Sequence, residues 1–388
     1  MAGNFVQLHN HTHYSLLDGA SKVPDLVKRV KELGMPAVGI TDHGNMHGAY
    51  ELWRAAVDSG VKPIIGIEAY VTPETARQDK TRVSWDTNWT PVPGHARNPD
   101  DVSGGGLITH LTMWAENDEG LVNLIKASSV ANLEGRVMRY PRMDKEVLST
   151  YSKGVIASSG CPSGIIQTRL RLGQFDEALR AAGEFQDIFG KDNFYIELMD
   201  HGLSIESKVT GDLLTIAKKL GAPLLATNDS HYVMEADKDA QDAMLCINSG
   251  ATLDDPNRFK FEGSGYYIKS AEEMRELFKD HPDACDNTLE IAERCNVIFD
   301  DHEDGAFMPQ FDCPEGWDET SLFLKKVEEG LEKRYDGNPP MEVLKQADYE
   351  CGVICQMQFC GYFLVVADYI NWAKEHGVMV GPGRGLSL

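Results

Sequence analysis

His9 and His11 stand two residues apart at the end of an apolar run, Phe5–His11, that reads as a strand. A two-residue period puts both imidazoles on one face, aimed at one point. Asp229 and His231 repeat that spacing at the end of a second such run, Pro223–Asp229. Other candidates fall near the ends of further apolar runs. Asp42-His43-Gly44 closes Ala37–Thr41, Glu68 lies in Pro63–Val71 two residues after Gly66, His110 lies in Leu107–Ala115, and Cys161 follows Val155–Ser159. Asp18, in Leu16-Leu17-Asp18-Gly19, comes just after the first run. Taken singly, each is read more simply as a satisfied core histidine or a capping aspartate. Together, imidazole nitrogen, carboxylate oxygen and thiolate sulfur are a donor mixture suited to zinc or manganese. Nine donors exceed the needs of one ion, so two to three divalent ions sharing bridging carboxylates are expected, with Gly66 leaving room around an ion. Ions so placed lower the pKa of a bound water and clamp the attacking and leaving oxygens of a phosphoester, and no protein nucleophile is required. Cys161, in Gly160-Cys161-Pro162-Ser163-Gly164, lacks basic neighbours and reads as a ligand rather than a nucleophile.

Donors drawn from so many strand ends need a scaffold that brings those ends to one place. With Phe194–Met199, seven strand-like runs are spaced through the first 235 residues, most of them separated by helical patterns. Ser21 is placed to cap a helix whose Leu26, Val27, Val30 and Leu33 share one face, with Gly34 at its end; Phe175–Ile188 and Ile205–Leu220 repeat the pattern before Gly190 and Gly221. Such alternation implies an α/β fold with a parallel sheet covered on both faces. A ring of donors favours a closed seven-stranded barrel over an open sheet, which gathers ligands at one switch point. The stretch Glu74–Gly106 interrupts the rhythm and reads as a long surface loop. Its Arg77, Lys80, Arg82 and Trp85 suit contact with a single-stranded end, against the plainer reading of a solvated loop. After about residue 265 the texture turns helical: Ser270 and Glu273 form a capping box, Phe307–Trp317 looks extended, and Glu319–Tyr335 and Met341–His376 read as helices.

The 388 residues suggest two domains, 1–280 and 281–388. A formal charge of −23 argues against holding nucleic acid by bulk electrostatics, though not against a local basic groove, and bound cations would offset part of it. Eight scattered cysteines without an export signal point to reduced thiols and a cytoplasmic location, and Cys351, Cys355 and Cys360 read as helix packing rather than a zinc site. No apolar run is long enough to span a bilayer, so no membrane is expected as a partner.

The motifs are also specific enough to compare with a family. Leu8-His-Asn-His-Thr-His-Tyr-Ser-Leu-Leu-Asp-Gly19, Ile40-Thr-Asp-His-Gly44, Gly66-Ile-Glu68 and Asn228-Asp-Ser-His231 resemble the motifs of the polymerase-and-histidinol-phosphatase (PHP) domain, in the version that opens the C-family of bacterial replicative DNA polymerases. Gly361-Tyr-Phe-Leu-Val-Val-Ala-Asp368 and Val380-Gly-Pro-Gly-Arg-Gly385 resemble the start of that polymerase's palm. The resemblance implies a distorted seven-stranded barrel with three ions. One would take His9, His11, Glu68 and Asp229, a second Glu68, His110 and Cys161, and a third Asp18, His43 and His231, with Asp18, Glu68, Asp229 and His231 carrying the chemistry. It further implies a metal-dependent 3′–5′ proofreading exonuclease acting on the primer 3′ end, DNA and other replicase subunits as partners, and polymerase activity only in a full-length chain. The aspartates for polymerisation would lie beyond the glycine-rich run, so the palm is expected to be truncated here. Two other readings stay open: a phosphatase of small molecules on the same barrel, and a non-catalytic, metal-stabilised scaffold that docks a separate proofreading subunit. His13, His47 and His201 are candidates for supporting or substrate contacts, equally well read as surface histidines.

Overall fold

The computed structural model describes residues 5–381, apart from 17, 87, 91–97, 99, 102, 264 and 300–309. The chain forms two compact units, Met1–Phe299 and Asp300–Leu388. The first is built on β1 (Ala37–Ile40), β2 (Lys62–Val71), β3 (Thr109–Ala115), β4 (Arg142–Met143), β5 (Val155–Ser158), β6 (Phe194–Leu198) and β7 (Leu224–Ala226). Hydrogen bonding runs β1-β2-β3-β5-β6-β7, with β4 added to the end of β2.

The expected strand over Phe5–His11 is not continuous. It makes isolated bridges, Gln7 to Val38 on β1 and Asn10 to Ser230 beyond β7, and so joins the two edges of the sheet into a ring. Gly39 permits that close approach, because a Cβ there would lie 2.5 Å from the Leu8 carbonyl oxygen. Val6, Leu8, Ile64, Trp114, Ile156, Tyr195 and Leu225 pack inside the barrel at one end. The helix Pro282–Arg294 closes that end with Ile291 and Cys295, and the backbone N–H of Val6 donates to Thr288 Oγ1 at 3.1 Å. A boundary at residue 280 would detach this helix from the core it completes, and the first unit instead runs to Phe299. A larger apolar layer lies between the sheet's outer face and the surrounding helices.

The sheet is not parallel throughout. β3 runs antiparallel to both neighbours, with Tyr70 opposite His110 and Thr112 opposite Ser158. A parallel return needs a crossover of a dozen or more residues, usually a helix. Between β2 and β3 the described residues hold only the short turn Ser103–Gly106, so the chain comes back beside β2 in the opposite sense. The start of β3 therefore shares a rim with the ends of β1, β2, β5, β6 and β7.

Local signals account for most of the helices. Phe175–Phe189 and Ser204–Leu220 end at Gly190 and Gly221, the latter at φ 62°, and Ser270 and Glu273 make the expected reciprocal cap of Ala271–Leu277. The first helix, Val23–Glu32, buries Leu26, Val27 and Val30, yet Ser21 does not cap it; Ser21 bridges Thr12 instead, and Pro24 sits in the opening turn. The segment from Glu74 onward is tied down by the fully buried Arg142, whose guanidinium donates to the carbonyls of Arg77, Asp79, Leu107 and Gly135.

In the second unit, helices Glu319–Arg334, Met341–Gln356 and Cys360–Glu375 gather around Leu322, Phe323, Cys360 and Leu364. The helical stretch expected over Met341–His376 forms two helices, separated near Gln358, which adopts φ 60°. Cys355 and Cys360 pack with Sγ atoms 3.4 Å apart, and all eight cysteines are free thiols. Among the described residues no single helix is long and apolar enough to cross a membrane. Leu17, Phe307 and the glycine-rich run after Gly381 lie outside the described residues.

Candidate metal centre

The rim that β3 shares with the other strands gathers the candidate donors. Glu68 comes from β2 and His110 from the start of β3, while His43 and Asp42 follow β1, Cys161 follows β5, and Asp229 and His231 follow β7. His9 and His11, on the irregular closing segment, reach the same point. Their Nε2 atoms lie 3.3 and 3.0 Å from Asp229 Oδ1, and 3.4 and 3.6 Å from the oxygens of Glu68. Glu68 Oε2 also lies 2.6 Å from His43 Nδ1 and 3.1 Å from His110 Nδ1. Asp18 reaches His43 Nε2 at 3.1 Å and His231 Nε2 at 3.8 Å, and Cys161 Sγ lies 3.4 Å from His110 Nδ1. Three triads thus present ligand atoms close together: His9, His11 and Asp229; His43, Glu68 and His110; and His11, His43 and His231. Cys161 belongs to none of these triads and stands beside the second.

The proton arrangement follows from the outer partners. His9 Nδ1 donates to Glu197 Oε1 at 2.7 Å. Ser15 donates its one hydrogen to Asp42 Oδ1 at 2.7 Å, so its oxygen must accept from His11 Nδ1 at 2.9 Å. His231 Nδ1 donates to the Asp229 carbonyl at 2.8 Å. When neutral, each of these rings carries its proton on Nδ1, and Nε2 points a lone pair inward. Those three nitrogens, His43 Nδ1, both oxygens of Glu68, Asp18 Oδ1 and Asp229 Oδ1 are buried without a hydrogen-bond partner. They crowd together within 2.6–3.8 Å of one another, at angles that leave their hydrogen-bonding capacity unmet. Buried polar atoms left so are costly, and a set of bases converging in this way fits divalent cations.

Charge separates the protonation states. Burial works against a charged His9, but Asp229 and Glu197 hold its pKa well above the ordinary histidine value. Burial, with His43 and His231 alongside, pushes His11 down to about 3. Burial also opposes ionisation of Glu68 and Asp229, and the nearby histidines overcome it and hold both well below the usual carboxylate range. Asp18 settles at about 2 by the same balance, with His43 and His231 prevailing over burial. Burial and then the charges of Glu68 and Asp229 raise the Cys161 thiol well above its usual value, so without a cation beside it this sulfur stays protonated and is no nucleophile.

Some sequence expectations take another form. Gly66 does not make room for an ion: a Cβ there would lie 2.5 Å from the Met113 carbonyl oxygen and 2.7 Å from the Trp114 ring, so the space serves the neighbouring strand. His13 packs against Tyr14, and His47 lines the cleft beside Asp18. His201 engages Glu206 through Nδ1 and the Asn228 carbonyl through Nε2, bracing the residue before Asp229. In the long loop, Arg77 pairs with Glu134, Asp144 and Glu146, Arg82 holds the carbonyls of Gly104 and Gly105, and Trp85 lies under the Arg169 guanidinium. Arg77 and Trp85 are committed internally, which removes them as free contacts for a single strand; Lys80 and Arg82 are exposed, the latter held only by neutral carbonyls. Glu197 was not anticipated. It also accepts from Ser158 and from Thr227 Oγ1 at 2.5 Å, and its signal was a carboxylate inside the apolar run Phe194–Leu198.

Residues 7–201, half of the chain, match the PHP domain family. The chain belongs to the PHP family. Residues 321–387 match a second model, the bacterial DNA polymerase III alpha NTPase domain. The chain is 50% identical to the DNA polymerase III subunit alpha of Mycobacterium leprae over 98% of its own length and 32% of that protein's. It is likewise 50% identical to the same subunit of Saccharopolyspora erythraea, again over 98% of this chain and 32% of the relative. The chain therefore spans about a third of the length of the curated relatives it matches. A solved two-domain protein from Bacteroides vulgatus, described as containing a predicted PHP-like metal-dependent phosphoesterase, matches at 14% identity over 73% of this chain and 62% of its own, with a TM-score of 0.33.

Proposed function

We propose that this PHP domain is a metal-dependent phosphodiesterase acting as a 3′–5′ proofreading exonuclease on a primer 3′ end, within the amino-terminal part of a bacterial DNA polymerase III alpha subunit. The carrying observation is the set of eight buried nitrogen and oxygen atoms, from His9, His11, Asp18, His43, Glu68, Asp229 and His231, that converge without hydrogen-bond partners. Two to three divalent ions, zinc or manganese, suit this donor set. His9, His11, Glu68 and Asp229 would hold one, Glu68, His110 and Cys161 a second, and Asp18, His43 and His231 a third. When bound, such ions supply a water activated near neutral pH and a clamp for the charge that develops on a phosphodiester.

The chain's own residues do the rest. Glu197, Ser15 with Asp42, and the Asp229 carbonyl fix the ring orientation of His9, His11 and His231. Asp229 is held in the left-handed region, at φ 43°, which turns its carboxylate toward both His9 and His11. Asp18, on the inner wall of the adjoining cleft, is placed to orient substrate, and the buried His231 stands behind it with Nε2 3.8 Å from its carboxylate. The wider assignment follows the relatives: polymerisation in the full-length chain, DNA and other replicase subunits as partners, and a cytoplasmic setting. Domains of 1–280 for the exonuclease and 281–388 for the start of the palm go with it, adjusted at their junction to Phe299.

The test is digestion of a primer–template with a mismatched 3′ end in zinc or manganese, with EDTA and Asp229→Asn as controls. Loss of terminal nucleotides that both controls abolish is expected. No digestion by protein shown to carry its ions would refute the exonuclease and leave a metal-stabilised scaffold.

A further inference from the structure

A cleft of about 240 Å³ opens beside the cluster, with Asp18, His43 and Tyr70 on its inner wall and Arg136, Arg139 and Asn248 toward solvent. In a chain of net charge −23 most arginines near the barrel are neutralised: Arg77, Arg169, Arg180, Arg258 and Arg294 each pair with a carboxylate. Arg136 and Arg139 are different. Among the described residues neither has a carboxylate within ion-pair distance, and both side chains are exposed. Their hydrogen bonds go to the Met138 carbonyl and to the neutral side chains of Asn248 and Tyr140, so both cations keep their charge for a ligand.

Their placement is built, not incidental. Val137 and Tyr140 exchange backbone hydrogen bonds at 3.0 Å, making a tight turn that holds the non-glycine Met138 at φ 55°. Such strain persists only where surrounding structure enforces it. Here the enforcement comes from buried Arg142, which grips the Gly135 carbonyl at the foot of the turn. A line of rings then leads inward: the Arg139 guanidinium lies over Tyr140, Tyr140 meets Tyr70 edge-on at 5.0 Å, and Tyr70 stacks on His43 at 5.9 Å. Two fixed, uncompensated guanidinium groups at the mouth of a cleft that ends on a phosphoesterase cluster match the spacing problem of a polyanion, whose end is at the cluster and whose next groups lie outside it. Arginine is the side chain best formed to hold phosphate oxygens, and stacked rings tolerate any base.

We infer that Arg136 and Arg139 bind backbone phosphates of a single strand whose 3′ end occupies the cluster, so that the cleft selects polynucleotides over phosphate monoesters and mononucleotides. This rests on the exonuclease reading above.

The experiment compares the full chain with Arg136→Gln/Arg139→Gln and Arg136→Lys/Arg139→Lys, all metal-loaded, on a short labelled oligothymidylate and on the p-nitrophenyl ester of thymidine 5′-phosphate. The glutamine variant is expected to raise KM for the oligonucleotide about tenfold or more with kcat little changed, and to leave the mononucleotide ester unaffected; the lysine variant recovers part of the loss. Anisotropy of the same oligonucleotide should show the slope of log Kd against log salt shrinking by about 1.4, the value for two lost single-strand phosphate contacts. Unchanged KM and salt slope would overturn the inference while leaving the exonuclease standing. An equal loss on the mononucleotide ester would also overturn it, because the arginines would then serve the reacting phosphate. Absence of hydrolysis by the unaltered chain would refute the exonuclease reading instead, and the anisotropy arm would still decide whether these arginines hold the strand.

Discussion

Replacing Glu197 with glutamine removes one charge at a position that touches no donor face of the cluster directly. Glu197 Oε1 accepts from His9 Nδ1 at 2.7 Å and from Thr227 Oγ1, and Oε2 accepts from Ser158, all in a fully buried setting. A glutamine keeps a carbonyl for His9 and Thr227 and turns its amide toward Ser158, whose hydroxyl can rotate to accept. The shape and most hydrogen bonds therefore survive, and what is lost is the negative charge that holds the His9 proton on Nδ1 and makes Nε2 a stronger base. Outer carboxylates of this kind are worth 10- to 100-fold in metal affinity, about 1.4–2.7 kcal/mol. Competition with a chromophoric zinc chelator should show that weakening. The melting temperature of the metal-free protein should fall little beside it. Equal affinity in Glu197→Gln and the unaltered chain would refute the orientation of His9 by Glu197, and with it the assignment of Nε2 as an inward lone pair.

Removing the ions with EDTA should lower the melting temperature by several degrees, since a ligand at a thousandfold its Kd contributes about 4 kcal/mol; an unmoved transition would count against a metal centre. Metal affinity should fall as pH is lowered. His9 and Cys161 both have raised pKa values in the metal-free chain, so ions must displace their protons, and calorimetry in buffers of differing ionisation enthalpy should register proton release. Gly39→Ala should destabilise the first unit by about 1–3 kcal/mol in denaturant titration, because its Cβ would press on the Leu8 carbonyl, and should weaken metal binding by shifting His9.

The candidate donors could be picked out from sequence because histidine, carboxylate and cysteine at strand ends carry their own signal, and the fold brings all nine to one rim. The path that delivers them was less visible. His9 and His11 meet through an irregular segment, not a pleated strand, since two single bridges are all its pairing. The reversal of β3 depends on how the preceding loop closes, which periodicity does not record. Arg142 could not be distinguished from a surface arginine, because its four carbonyl partners come from three separate stretches of chain. Gly66 was correctly seen as a gap and wrongly filled, because what occupies a gap is decided by the strand next door.

The reversed strand has a bearing on how such a barrel can vary. Where two neighbouring strands run parallel, the link between them must carry the chain back across the whole barrel and has a minimum length. Between β2 and β3 the two ends lie side by side on the open rim, and two residues would suffice to connect them. Part of what the chain spends there beyond that minimum is anchored, at Glu74 by Arg169 and Arg180 and at Arg77 and Asp79 by Arg142, while exposed positions such as Asn88 and Thr90 can take insertions without disturbing a ladder hydrogen bond of the sheet. This is the barrel's natural insertion point, and the place to graft a crosslinker or a fluorophore that watches a strand arrive.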